Sequence, residues 1–300
     1  MNYQKFKLQL NVIKLLLFTI ATSFVSYGYG QEVTDDEEID SLLDELFFED
    51  GKLADDLLNA LTEYDFIYTT VAYNTNTFFA GRDSGVDQFN FIPQVAYYSS
   101  SGFNASVSSV YYQNQDPNWD FVSLSAGYGN TIGKGKKVHY NIGYSRFFYS
   151  DGFDSFNNSI DLSLGARNKN RTFGVITSLS YLFGSEQSVQ ISSRAYGNLT
   201  ITRESNYAIK FRPQLSFLIA EQSVTFELPP RNGLPPRIVT NEEFAVLNSQ
   251  LSIPISYTSS SLDIELGWNL NLPTPIEGEG TLDPTNFFTL TIGYLIDLRK

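Results

Sequence analysis

From Phe66 to Leu298 apolar and polar residues alternate with a period of two, the spacing of a strand whose two faces meet different surroundings. The pattern is clearest in 207–219. Tyr207, Ile209, Phe211, Pro213, Leu215, Phe217 and Ile219 fall on one face, and Ala208, Lys210, Arg212, Gln214, Ser216 and Leu218 on the other. Further on, Leu247, Leu251, Ile253, Ile255 and Tyr257 oppose Asn248, Gln250, Ser252 and Ser256. Leu262, Ile264, Leu266, Trp268 and Leu270 then oppose Asp263, Glu265, Gly267, Asn269 and Asn271. Read throughout, the alternation predicts about twelve strands, near 66–73, 89–99, 103–113, 119–129, 137–148, 157–167, 171–183, 187–200, 206–219, 245–257, 261–272 and 286–298. A length of about ten residues suits a strand that crosses a bilayer at a tilt, whereas soluble strands average about five to six.

The connections carry separate information. TNTFFAGRDSGVDQ, NQDPN, SDGFDSFN, GSE, the stretch from Ala220 to Phe244 and PTPIEGEGTLDPT alternate with SSSG, NTIGKGKK, NKN, RES and TSS, which are mostly shorter. Long loops on one side and short turns on the other are the habit of an antiparallel up-and-down transmembrane β-barrel. A secreted sandwich would alternate too, but its inner face would be apolar. Here the polar face is rich in Ser, Asn, Gln and Gly, as a wet interior requires. Tyr97, Tyr111, Tyr128, Tyr140, Phe148 and Trp268 gather towards strand ends, the places where aromatic girdles meet lipid headgroups. The 25-residue stretch from Ala220 to Phe244 holds PPRNGLPPR and predicts a stiff surface loop, with a lid over the mouth as its functional reading.

Two segments precede the array. Lys5 and Lys7 stand before the apolar run Val12–Val25, and SYGYG follows. This predicts an export signal at 1–30, cleaved near Gly30, because the run is too short and too interrupted by Lys14 to span a membrane. Residues 31–64 read as an acidic periplasmic leader. Thr34–Glu37 fits a capping box, and Ile39, Leu42, Leu43, Leu46 and Phe47 form one helical stripe. One or two short amphipathic helices are expected there. They would dock a periplasmic partner through residues 35–61, lie across the barrel mouth, or serve only as a solvated tether.

Charge sharpens this division. The chain carries −13 overall, and residues 31–65 hold fourteen acids and one lysine. With the three lysines of residues 1–30 also set aside, the remainder carries only −3. The acidity belongs to the leader, and no basic face invites nucleic acid. The 42% hydrophobic content with 24 Phe and 19 Tyr sits in interleaved positions rather than in long runs.

Candidate chemistry is sparse. Arg194, Lys210 and Arg212 fall on the polar face of neighbouring strands, with Asp263 and Glu265 two strands further round. A turn near Glu204 would set Asn198 opposite Lys210 and Tyr196 opposite Arg212. Such an array either orients a polar solute in a transverse field or ties the interior together by salt bridges. His139, the single histidine, faces the interior beside Asn141, and no spacing gives it a nucleophile. One histidine and no cysteine leave no expected metal site, and no cofactor is expected. GNTIGKGKK lacks the Gly-Lys-Ser/Thr of a phosphate loop.

On the SYGYG–Gln31 junction, DQFNFIPQVAYY from Asp87, DPNWD from Asp116 and GYLIDL from Gly293, the chain resembles a family of poorly characterised outer-membrane barrels of Bacteroidota-type Gram-negative bacteria. The resemblance implies an outer-membrane location, lipid and the barrel-assembly machinery as partners, and no particular site residue. The sequence departs from the frequent terminal aromatic of barrels, ending Leu298-Arg299-Lys300. An even strand number would leave both termini periplasmic. The expected function is a non-enzymatic channel or transporter-like barrel for small polar solutes, with a structural or partner-coupled barrel as the alternative and a barrel-embedded hydrolase behind both.

Overall fold

The computed structural model describes residues 65–83, 87–133, 137–150, 154–204, 207–228, 237–259, 261–276 and 279–298. The expected export signal and the expected helices of the leader lie outside the described residues. The period-2 segments form β1 (Phe66–Asn74), β2 (Phe78–Phe79), β3 (Arg82–Asp83), β4 (Asn90–Tyr98), β5 (Phe103–Tyr112), β6 (Trp119–Ile132), β7 (Val138–Tyr149) and β8 (Asn158–Arg167). They continue as β9 (Phe173–Phe183), β10 (Gln187–Gly197), β11 (Leu199–Glu204), β12 (Tyr207–Phe211), β13 (Gln214–Leu228), β14 (Arg237–Ser259), β15 (Leu262–Pro273) and β16 (Thr285–Asp297).

Fourteen of these segments form one antiparallel sheet, which closes because β14 pairs with both β13 and β15 while β16 returns to β1. β10 runs on into β11 past Asn198, and β12 into β13 past Arg212 and Pro213, where the proline has no N–H to give to the ladder. The fourteen segments are therefore twelve staves, at the places the alternation predicts. Closure leaves no edge along the main ring. The remaining two segments, β2 and β3, are a small hairpin inside the first long loop.

The faces divide by chemistry. Outside, Val71, Val95, Val107, Leu124, Ile142, Leu162, Leu179, Ile255, Leu266 and Ile292 are each 41–57% exposed, a continuous apolar belt. Tyr73, Phe91, Tyr111 and Trp119 cluster at the loop end, with ring centroids 5.1–6.3 Å apart between successive members. Tyr207 and Tyr257 stack at 5.6 Å near the turn end. Inside, small polar residues link stave to stave: Ser108–Ser123 at 2.7 Å, Ser125–Ser145 at 2.8 Å and Ser163–Ser178 at 2.7 Å. A longer chain crosses five staves. Ser252 donates to Asn269, Asn269 to Thr289, Thr289 to Asn74, Asn74 to Asn90, and Asn90 to Thr77, over 2.6–2.9 Å. Short hydroxyl and amide side chains satisfy one another here.

Two expectations are corrected. The stretch Ala220–Phe244 is not one long loop: β13 and β14 pair onwards from Ala220↔Ala245 to Leu228↔Arg237, because the alternation of EQSVTFEL and RIVTNEEF outweighs the flanking prolines. Only residues 229–236, outside the described residues, are left as its tip, and the lid reading falls there. Leu247 does not face outward. A bulge between Leu218 and Ile219 inserts one residue into β14 and reverses its parity, so Leu247 is 3% exposed and packs with Ala220 and Ile276.

Candidate functional site

One end of the barrel carries the short turns and Asp65; the other carries the long loops. At the turn end Asp65 is fixed by the Ser100 amide at 2.9 Å, the Ser100 hydroxyl at 3.0 Å and the Tyr97 hydroxyl at 3.0 Å, while its carbonyl accepts from Leu298 N at 3.0 Å. The Ser100 amide, then the Ser100 and Tyr97 hydroxyls, hold the Asp65 carboxyl below its usual range.

Inside this half lie the charged residues that strand parity points inward. Lys210 on β12 pairs with Ser256 on β14, which pairs with Glu265 on β15. In the neighbouring row Ala208 pairs with Thr258, and Thr258 with Asp263. The cations and carboxylates are thus two staves apart at one depth, roughly 10 Å between backbones at the usual strand spacing, within joint reach of long side chains. Asp263 lies in the field of both Arg212 and Lys210. Lys210, Arg212 and Asp263 are each 0% exposed. Buried ions of this kind persist only with opposite charge nearby.

Tyr68 on β1 joins the group by lying across β16. A Cβ placed on Gly293 would meet the Tyr68 hydroxyl at 2.0 Å and Cζ at 2.6 Å, so only glycine lets the ring reach the fields of Asp263 and Glu265. The same device recurs at His139, whose ring lies over Gly165 of β8; a Cβ there would meet Cε1 at 1.6 Å. Neither imidazole nitrogen makes a hydrogen bond within the described structure, so no serine is engaged by it. Among the described residues no three His, Cys, Asp or Glu side chains converge as a metal site would.

The register differs from that expected at one hairpin. Thr200, not Asn198, faces Lys210, and Tyr196 faces Gln214. Glu204 pairs with Tyr207, and the ladder then shifts between Thr200 and Thr202. Arg194 consequently sits opposite Ser216 and Ile176, away from Arg212. It groups instead with His139, whose field it shares. Arg167 at the end of β8 lies by Tyr196, and its period-2 parity with Ser163 and Gly165 is the sequence signal that turns it inward. Ile39, Leu42, Leu43, Leu46 and Phe47 lie outside the described residues.

At the loop end a second cluster stands in the mouth. Arg82 on β3 holds Glu279 by two bonds, Nε–Oε1 at 2.8 Å and Nη2–Oε2 at 3.0 Å. It also donates to the carbonyls of Leu247 at 3.2 Å and Thr274 at 3.0 Å. Thr285 donates to the carbonyl of Gly81 at 2.9 Å, and Phe78 tilts against Phe287. The first long loop is thereby strapped across the mouth to the loop between β15 and β16. Arg82, foremost by its hydrogen bond, lowers the Glu279 pKa.

Comparison with known proteins adds likeness in overall form. An outer membrane channel from Pseudomonas putida F1 matches at 9% identity and TM-score 0.45, covering 83% of this chain and 99% of its own. A KdgM porin matches at 10% identity and TM-score 0.44, covering 78% and 99%. LpxR from Salmonella typhimurium matches at 9% identity and TM-score 0.43, covering 76% and 99%. No family and no curated protein sequence matches the chain. At such identities no residue role passes from those proteins to this one, and the functional reading rests on this chain's own side chains.

Proposed function

We propose that the chain is an outer-membrane β-barrel of the channel or transporter-like kind, acting on small polar solutes without chemical conversion. The observation that carries this reading is the segregated charge array: Lys210 and Arg212 lie two staves from Asp263 and Glu265 on the inner wall. Two charge signs set apart along a polar wall pull a zwitterionic or hydrogen-bonding solute into one orientation. The apolar belt outside supports a lipid setting, since a closed ring satisfies its backbone without water. By topology both ends of the ring of staves are then periplasmic.

Liposome swelling with small neutral sugars and amino acids tests the proposal. Folded protein should accelerate swelling, and the double variant Lys210→Met with Arg212→Met should change the preference between zwitterions and neutral sugars. Swelling no faster than that of empty liposomes, from protein with barrel mobility on gels, would remove the transport reading. The second reading, a structural barrel, would then stand on the full burial of Lys210, Arg212 and Asp263.

A further inference from the structure

We propose that the turn end of the barrel holds an anionic phospholipid, with its headgroup phosphate on Lys137, Lys169 and Arg171 and its acyl chains on the outer wall of β7–β11. This rests on the lipid setting of the reading above and not on transport. The first observation is how charge divides along the barrel. The turns β6–β7, β8–β9 and β11–β12 expose Lys137, Lys169, Arg171 and Arg203, against Glu204 as the one carboxylate among their described residues. The opposite end exposes Asp87, Asp116, Asp154, Glu186 and Asp283. Anionic headgroups are drawn to the first end and repelled from the second, so the occupant belongs to the leaflet beside the turns.

The second observation is that these cations stand together. The Arg167 amide donates to the Lys137 carbonyl at 2.9 Å, and the Asn198 amide to the Thr172 carbonyl at 2.9 Å. The start of β7 therefore lies beside the β8–β9 turn, and that turn beside β11. Neighbouring staves are about 4.8 Å apart, so Lys137, Lys169 and Arg171 come within joint reach of one phosphate. Their turn is fixed by Asn168, whose Oδ1 accepts from the amides of Thr172 at 2.9 Å and Phe173 at 3.2 Å. Arg171 takes φ 54° there, a left-handed backbone that glycine adopts at lower cost, so the guanidinium is kept against the backbone's preference. The third observation is the wall beside the rim. Ile132, Val138, Leu164 and Leu199 are 54%, 39%, 52% and 53% exposed on its outer face. From Val138 the same outward row runs through Ala166, Val175 and Ala195, whose short side chains leave room for an acyl chain beside the larger ones. Cations bordering a lipid-facing apolar wall match both ends of a phospholipid.

Full-length protein in nanodiscs of equal phosphatidylglycerol and phosphatidylcholine tests this, with native mass spectrometry counting which lipid stays bound. Each cation beside an anionic bilayer surface changes association about fivefold, so phosphatidylglycerol should be retained over phosphatidylcholine by more than about tenfold. Lys137→Gln, Lys169→Gln and Arg171→Gly together should bring the ratio to within about twofold of one, and the glycine relieves the backbone at the same time. Lys137→Arg with Lys169→Arg should keep the preference, as should Asp116→Asn with Asp154→Asn at the other end. Equal retention of the two lipids by incorporated native protein overturns the site and leaves the lipid setting in place. A preference that the triple variant keeps overturns it too. So does a preference abolished by inorganic phosphate but not by chloride of equal ionic strength, which would assign the cations to a soluble anion. Protein that does not enter nanodiscs removes the lipid setting and the site together. The site stands whether or not liposomes swell, so failure of the channel reading is seen separately.

Discussion

Gly293 shows how one missing methyl positions the interior charges. Any side chain there meets the Tyr68 ring, so Gly293→Ala is expected to destabilise the barrel by about 1–3 kcal/mol through overpacking. Adding Tyr68→Ala should recover part of that loss, making the pair less than additive in thermal melts. Asp263 acts at the same scale by charge. Asp263→Ala leaves the enclosed Lys210 and Arg212 facing a smaller negative charge, at a cost of about 3–5 kcal/mol. Asp263→Ala with Lys210→Met should cost less than the sum of the two alone, measured as denaturant midpoints of refolded protein. If the two effects simply add, the carboxylate and the amine do not interact.

Among the elements, the strap from β3 to the β15–β16 loop is the one open to titration. The Glu279 carboxyl has a folded pKa below its ordinary 4.5, chiefly through Arg82. A lowered folded pKa means the strap's contribution is fully present above about pH 4.5 and is lost as pH falls through the folded value. The pair is near the surface, so its worth is about 0–1 kcal/mol in global stability. Protease cleavage within 75–89 should therefore speed up below about pH 4.5 while the barrel stays folded. Arg82→Gln should give fast cleavage at neutral pH and little further change in acid. A cleavage rate that is slow and flat from neutral pH into acid would show that Glu279 does not hold the loop. The parity reversal in β14 belongs to this scale as well. One inserted residue turns Leu247 inward to meet Ala220 and Ile276, and Leu247→Asp should disturb the mouth more than the same change at outward Leu251 disturbs the wall.

At the scale of the whole molecule, the barrel presents an apolar belt outside and a polar, charge-segregated interior, and the proposed transport rests on that interior. In planar bilayers, Asp263→Asn with Glu265→Gln should shift ion preference towards anions, because only the cationic side of the array then keeps its charge. An unchanged reversal potential in a salt gradient would place the selective step elsewhere. What the sequence by itself determined is local and repetitive. Twelve runs of period two placed the staves, and parity turned Lys210, Arg212, Asp263, Glu265 and His139 inward, because side-chain direction in a strand depends only on neighbouring residues. Only the tertiary structure decided which residues meet. Closing a ring of staves fixes one register for all of them, and that register put Thr200 beside Lys210, moved Arg194 towards His139, and made room for a bulge in β14. The Arg82–Glu279 strap and the passage of Tyr68 over Gly293 join residues 197 and 225 positions apart. Such contacts leave no periodic trace, since they arise from the curvature of the wall rather than from the order of residues along it.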